Sequence, residues 1–146
     1  MTKNEKYKAL FPQIESLVSG EQDMIAKMAN VAAALHEAFG FWWTGFYRVE
    51  GEELVLGPFQ GPIACTRIPF GRGVCGTAWK QAQTIIVPNV HEFAGHIACS
   101  TASNSEIVVP IFRNKQIIAV LDIDSVDYGT FDETDKQWLE KITQII

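Results

Sequence analysis

Two acidic residues interrupt a segment that otherwise reads as a buried strand. Asp122 and Asp124 fall within Ile117-Ile118-Ala119-Val120-Leu121-Asp122-Ile123-Asp124, a run too apolar to lie along the surface. The two-residue period of a strand turns both toward one face. A strand whose end emerges into water would present them in the same way, since single acidic residues near strand ends are common. Glu106, on the preceding apolar segment, would be the third member. An odd-length connection through Arg113-Asn114-Lys115 puts Glu106 on the face of Asp122 and Asp124, whereas a two-residue turn points it away. Lys115 suits poorly the second position of a type I′ turn, where glycine is preferred, and this favours the longer connection. Three clustered carboxylates repel one another, so such a site suits a cationic ligand or retains a proton for donation.

The chain has three cysteines, Cys65, Cys75 and Cys99, an odd number that excludes a fully paired secreted framework. Cys75, inside Gly73-Val74-Cys75-Gly76-Thr77-Ala78-Trp79, reads as a small buried hydrophobe in a tight helix. Cys65 and Cys99 fall in loops without an apolar pattern, where a thiol reaches solvent and reacts. A zinc site from Cys65, His91, His96 and Cys99 is the rival, but no C-x-x-C pair is present and the spacing fits no structural-zinc pattern, so no metal is expected. His36 lies on a helical segment and is expected to face water. His91 and His96 flank Cys99 in sequence alone, so a Cys-His nucleophile does not follow from them. In the aromatic run after Gly40, Phe41, Trp43, Tyr47 and Val49 share one face, and Trp42, Phe46 and Arg48 the other. Strand aromatics are most often packing, yet tryptophan on both faces leaves one of them to meet something other than protein.

The elements that must position these groups follow from periodicity. Leu10, Ile14, Leu17 and Val18 recur at helical spacing, and a second helix runs from Met24 to Phe39 and stops at Gly40, with Ser19 and Gln22 as a capping box between them. Phe41–Val49 and Leu54–Phe59 form a hairpin around Glu50-Gly51-Glu52. A short strand at Arg67–Phe70, a helix at Val74–Gln81 and a strand at Ile85–Val87 follow. Residues 88–105 make a long aperiodic loop of the kind that usually carries function. Glu106–Phe112 and Gln116–Ser125 form a second hairpin, and a last helix starts near Asp132. This order predicts an α+β fold, an antiparallel sheet with helices on one or both faces, in one domain over residues 1–146.

With 146 residues, 47% of them hydrophobic, the chain can bury a core without metal or disulfide staples. A net charge of −5 and a pI near 5.1 argue against nucleic-acid binding. The polar N-terminus and the lack of any long apolar stretch predict no signal peptide and no membrane partner, hence a cytoplasmic protein.

Three stretches, Glu92-Phe93-Ala94-Gly95-His96-Ile97-Ala98-Cys99, Ser103-Asn104-Ser105-Glu106-Ile107-Val108-Val109-Pro110 and Leu121-Asp122-Ile123-Asp124-Ser125, resemble the free methionine-(R)-sulfoxide reductases, which are GAF-domain enzymes. The resemblance extends over essentially the whole chain, through Phe41-Trp42-Trp43-Thr44-Gly45-Phe46-Tyr47, Gly57-Pro58-Phe59-Gln60-Gly61 and the spacing of the three cysteines. It implies a six-stranded antiparallel sheet flanked by helices, a homodimer, no cofactor, and action on the free amino acid with thioredoxin or a similar dithiol as reductant. By position it makes Cys99 the nucleophile, Cys65 the resolving cysteine and Cys75 an auxiliary thiol. Glu106, Asp122 and Asp124 match the family's acidic pocket, with Asp124 or Glu106 as the acid, and Trp43 and Tyr47 match its aromatic wall. Asn89, Ala94 and Lys115 depart from the family's Asp, Pro and Gly, and none of them removes a reactive group. A sensory GAF module or a thiol redox switch is the alternative on the same fold.

Overall fold

The computed structural model describes residues 1–96 and 102–146, so Cys99 lies outside the described residues. The chain runs α1 (Lys3–Val18), α2 (Met24–Phe39), β1 (Trp43–Glu50), β2 (Glu53–Gln60), β3 (Arg67–Pro69), α3 (Gly73–Gln81), β4 (Ile85–Val87), β5 (Ser105–Arg113), β6 (Gln116–Ser125) and α4 (Glu133–Gln144), with one 3-10 turn at Val90–Glu92. The strands form one sheet in the order β3-β2-β1-β6-β5-β4, antiparallel throughout.

The strand alternation sends two sets of side chains to opposite faces. Phe46, Ile107, Val109, Ile111, Leu121 and Ile123 join Tyr7, Ile14, Leu35, Leu139 and Ile142 in a core beneath α1, α2 and α4. Trp43, Tyr47, Val108 and Val120 pack on the other face with Val74, Cys75 and Ala78 of α3. Asp122 and Asp124 share the parity of Val120, so they too open on the side covered by the short helix α3.

Local signals account for most boundaries. Gly40 closes α2 in the left-handed conformation at φ 67°, and Asp132 caps α4 in a reciprocal capping box with Asp135. Two expectations are corrected. Ser19 and Gln22 do not cap α2: Ser19 ends α1, and Asp23 accepts from the Ala26 N–H instead. The capping box belongs one helix earlier, between Thr2 and Glu5, in a segment whose apolar pattern is too sparse to announce a helix start. Phe41 does not share the face of Trp43, because β1 begins at Trp43 and Phe41 turns into the α1/α2/α4 core.

Asp135 ties the first helix to the last. Its carboxylate, 1% exposed, accepts from the Tyr7 hydroxyl at 2.6 Å and from the Lys3 ammonium at 2.7 Å. Removing it strands a buried hydroxyl and a half-buried cation. Asp135→Ala is therefore expected to cost about 3 kcal/mol, read as a lower midpoint in urea unfolding with an unchanged slope.

Candidate functional site

The position of Glu106 depends on the β5–β6 hairpin. The connection is a two-residue turn, with Asn114 at φ 52° and Lys115 at φ 65° between the paired Arg113 and Gln116. The expected longer loop is absent, and Lys115 takes the left-handed place that glycine usually fills. A two-residue turn alone would face Glu106 away from the aspartates. The register, however, shifts by one residue between Ile111, opposite Ala119, and Phe112, opposite Ile117. This bulge inserts Ile118 and restores the parity. Glu106 consequently lies directly across from Asp124, and Val108 across from Asp122.

β1 completes the floor on the other side of β6, with Trp43 opposite Asp124 and Gly45 opposite Asp122. Gly45 leaves room for aromatic rings: a Cβ there would collide with the Phe59 Cβ and come within 2.7 Å of the Trp43 ring. The Trp43 indole stacks on Phe59 at 5.2 Å and lies 6.0 Å from the Tyr47 ring. Both wall residues are also anchored by their polar ends. Trp43 Nε1 donates to the Pro62 carbonyl at 3.0 Å, and the Tyr47 hydroxyl donates to the Cys65 carbonyl at 2.9 Å. The aromatic wall thereby holds the segment that carries Cys65.

α3 brings Cys75 into the same space. Gly76 lets the helix approach closely, since a Cβ there would sit 2.7 Å from the Pro69 carbonyl oxygen. Cys75 is a free thiol, 4% exposed, and its sulfur lies within 4.8 Å of carboxylate oxygens of Glu106 and Asp122. The reading of Cys75 as packing is thus half right, because the thiol is buried but faces the acids. The pocket, about 70 Å³, is enough for several waters. Trp42, Trp43 and Tyr47 line it on one side, and Cys75, Glu106, Asp122 and Asp124 on the other. Its described lining contains no lysine or arginine.

The electrostatics follow from burial. Burial, with Asp122 and Asp124 beside it, holds the Glu106 carboxyl well above the usual carboxylate range. Burial and the neighbouring Asp122 do the same for Asp124, whose Oδ1 also accepts from Ser103 Oγ at 3.2 Å. Asp122 is raised by burial too, but contacts with Glu106, Cys75 and Asp124 pull it back toward the charged form. Asp122 is therefore the least raised of the three carboxyls and the first of them to ionise. Asp122 Oδ1 is buried and accepts no hydrogen bond from a described residue. Burial, with Asp122, Glu106 and Asp124 beside it, pushes the Cys75 thiol up.

The histidines are distributed differently from expectation. His36 is half-buried on α2, not turned to water, and its Nδ1 is enclosed without a described partner. His91 pairs with Asn104 Oδ1 at 2.8 Å, away from the acids. His96 lines the pocket, and burial together with His91 lowers its pKa. Among the described residues no group of ligating side chains includes Cys65, His91 or His96. Asn89, where the resemblance expects Asp, accepts from the His91 N–H at 3.0 Å. Ser103 and Trp42 are site residues that sequence reasoning missed. Trp42 precedes the strand, so the alternation of β1 does not apply to it.

Residues 19–146 match the GAF domain family model. The chain is 58% identical to GAF domain-containing protein A of Dictyostelium discoideum, covering 99% of this chain and 92% of that one. It is 50% identical to free methionine-R-sulfoxide reductase of Escherichia coli, covering 97% and 87%. Among solved structures, the substrate complex of free methionine-R-sulfoxide reductase from Neisseria meningitidis superposes with a TM-score of 0.98 at 53% identity, covering 99% and 88%.

Proposed function

The chain belongs to the GAF-domain family of free methionine-R-sulfoxide reductases, and we propose that it reduces free L-methionine-(R)-sulfoxide to methionine with a dithiol as electron source. The observation that carries this reading is the carboxylate row, with Glu106 and Asp122 buried and Asp124 half-buried, facing an aromatic wall, and Asp122 Oδ1 without a partner among the described residues. A free α-ammonium satisfies that oxygen and neutralises that charge. The peptide nitrogen of a methionine sulfoxide inside a protein chain cannot do so, and selectivity for the free amino acid follows. The Trp43 and Tyr47 rings would take the apolar side chain.

In the reaction, the Cys99 thiolate attacks the sulfoxide sulfur while Glu106 or Asp124 protonates the oxygen. The sulfur–oxygen bond breaks, methionine leaves, and the hydroxyl passes to Cys99 as a sulfenic acid. Cys65 attacks that sulfur, water departs, and a Cys65–Cys99 disulfide forms. Thioredoxin or a similar dithiol reduces it by exchange, so one sulfoxide and one dithiol give methionine, a disulfide and water. No step calls for a metal or an organic cofactor. A cytoplasmic location, where such dithiols are kept reduced, and a homodimer complete the proposal.

The test is methionine release from free L-methionine-(R)-sulfoxide with dithiothreitol or thioredoxin, comparing the native chain with Cys99→Ser. Turnover is expected in the native chain and none above background in the variant. Binding of the sulfoxide without reduction would instead favour a sensory module, and Cys65–Cys99 oxidation without turnover a redox switch.

The Tyr47 hydroxyl supplies a second test, because its bond holds the Cys65 carbonyl and would set the approach of the resolving thiol. Tyr47→Phe should release the first equivalent of methionine at nearly the native rate. Steady-state turnover should fall roughly tenfold, as expected when the attacking group loses orientation. A burst experiment separates the two phases, and equal slowing of both would remove Tyr47 from the recycling step.

A further inference from the structure

Cys75 forms and breaks no bond in the proposed reaction, yet it faces the acids. Its sulfur and one carboxylate oxygen each from Glu106 and Asp122 lie within 4.8 Å of one another, and all three residues are at least nine-tenths buried, 4%, 6% and 6% exposed. Asp122, whose Oδ1 is enclosed and has no hydrogen-bond partner among the described residues, lines the pocket beside the other two. We infer that Cys75, Glu106 and Asp122 form an inhibitory site for a thiophilic divalent cation, Zn²⁺ or Cd²⁺, that occupies the place of the substrate's ammonium. The inhibitory part of this inference rests on the proposed function; the ion site itself does not.

The donor set selects the ion class. Calcium and magnesium require six or more oxygen ligands, whereas one thiolate and two carboxylate oxygens on a short helix and two strands suit a four-coordinate ion that accepts sulfur. Zn–S near 2.3 Å and Zn–O near 2.0 Å place tetrahedral ligand atoms about 3.5 Å apart, within reach of side-chain rotation from a spread of 4.8 Å. The fourth position opens to the pocket for a water. A divalent ion gives the Asp122 carboxylate a cationic partner, and it excludes an ammonium by charge as well as by space.

The experiment uses the full chain with Cys65→Ser and Cys99→Ser, which leaves Cys75 as the sole thiol, kept reduced by a phosphine. Cadmium is titrated while the ultraviolet thiolate-to-cadmium charge-transfer band is followed, and circular dichroism verifies the fold of every variant. One equivalent of Cd²⁺ is expected to produce the band. Further substitution Cys75→Ser should abolish it, and Asp122→Asn should weaken binding ~10-fold or more, at least the loss that follows removal of a metal site's outer partners. Saturating free methionine should raise the apparent Kd for Cd²⁺. Absence of the band, or a band indifferent to Asp122→Asn, would overturn the site. A band that needs Asp122 but is not displaced by methionine would keep the ion site and overturn both its competition with substrate and the placement of the ammonium.

Discussion

Replacing Glu106 with Gln, or Asp124 with Asn, is expected to lower kcat for sulfoxide reduction by about 10²- to 10⁴-fold, the range over which a positioned general acid contributes. Free methionine should still bind, since Asp122, the proposed partner of its ammonium, is unchanged. The larger loss identifies the acid, because both carboxyls are raised well above the ordinary range and both are available to hold a proton. Glu106→Gln should also stabilise the fold at neutral pH. A carboxyl whose folded pKa exceeds its unfolded one binds its proton more tightly when native, so the contribution is neutral below the unfolded value and becomes destabilising as pH rises toward the folded one. Native stability should accordingly increase relative to Glu106→Gln as pH falls from the raised folded value toward the ordinary 4.5. Urea unfolding of the two chains across that window measures the difference. Parallel stabilities at every pH would mean that Glu106 carries no retained proton. A chain that gains stability while losing turnover has the signature of a site held in a costly charge state for its chemistry.

The limits of reading this site from sequence lie at identifiable residues. The order of helices and strands was legible because hydrophobic periodicity and Gly40, Asp132 and the Gly51 turn mark it. The aspartates were legible for the same reason, since polar residues in an apolar strand stand out. Glu106 was not, because its direction depends on a turn and a bulge that offset one another. The turn defies glycine preference at Lys115, and the bulge at Ile118 sits in a run of β-branched residues with no glycine to announce it. Reasoning from Lys115 to a longer loop reached the correct face through the wrong geometry. Cys75 was half legible. Its small-residue helix predicts burial, but its approach to Glu106 and Asp122 arises from the packing of α3 on β5 and β6, a tertiary fact that no local pattern encodes. The resemblance to a family added what neither route supplies, namely the assignment of Cys99 and Cys65 to separate steps. Fold similarity below that level would not have carried chemistry, since one scaffold hosts sensors and enzymes alike.

Asp122→Asn provides the second large effect, and its form differs from the first. If Asp122 receives the substrate's ammonium, replacing it should reduce kcat/KM by about 30- to 150-fold, corresponding to 2–3 kcal/mol for the loss of a buried, charge-assisted contact. The loss should appear mainly in KM, because the ammonium keeps its charge through the reaction and contributes equally to ground and transition states. A substrate without the ammonium gives the complementary deletion. N-acetyl-methionine sulfoxide should be poor for the native chain and no poorer for Asp122→Asn, as expected when both changes remove one interaction. Additive losses would separate Asp122 from the ammonium. The pH profile carries a further signature, with its sign fixed by the raised pKa values. Activity that depends on a retained proton falls as pH rises through the carboxyl's value. The Asp122 charge is one of the causes lifting both neighbours, so its removal lets them release their protons sooner. The alkaline fall in kcat/KM should move to lower pH in Asp122→Asn, whereas a role confined to packing would leave it in place.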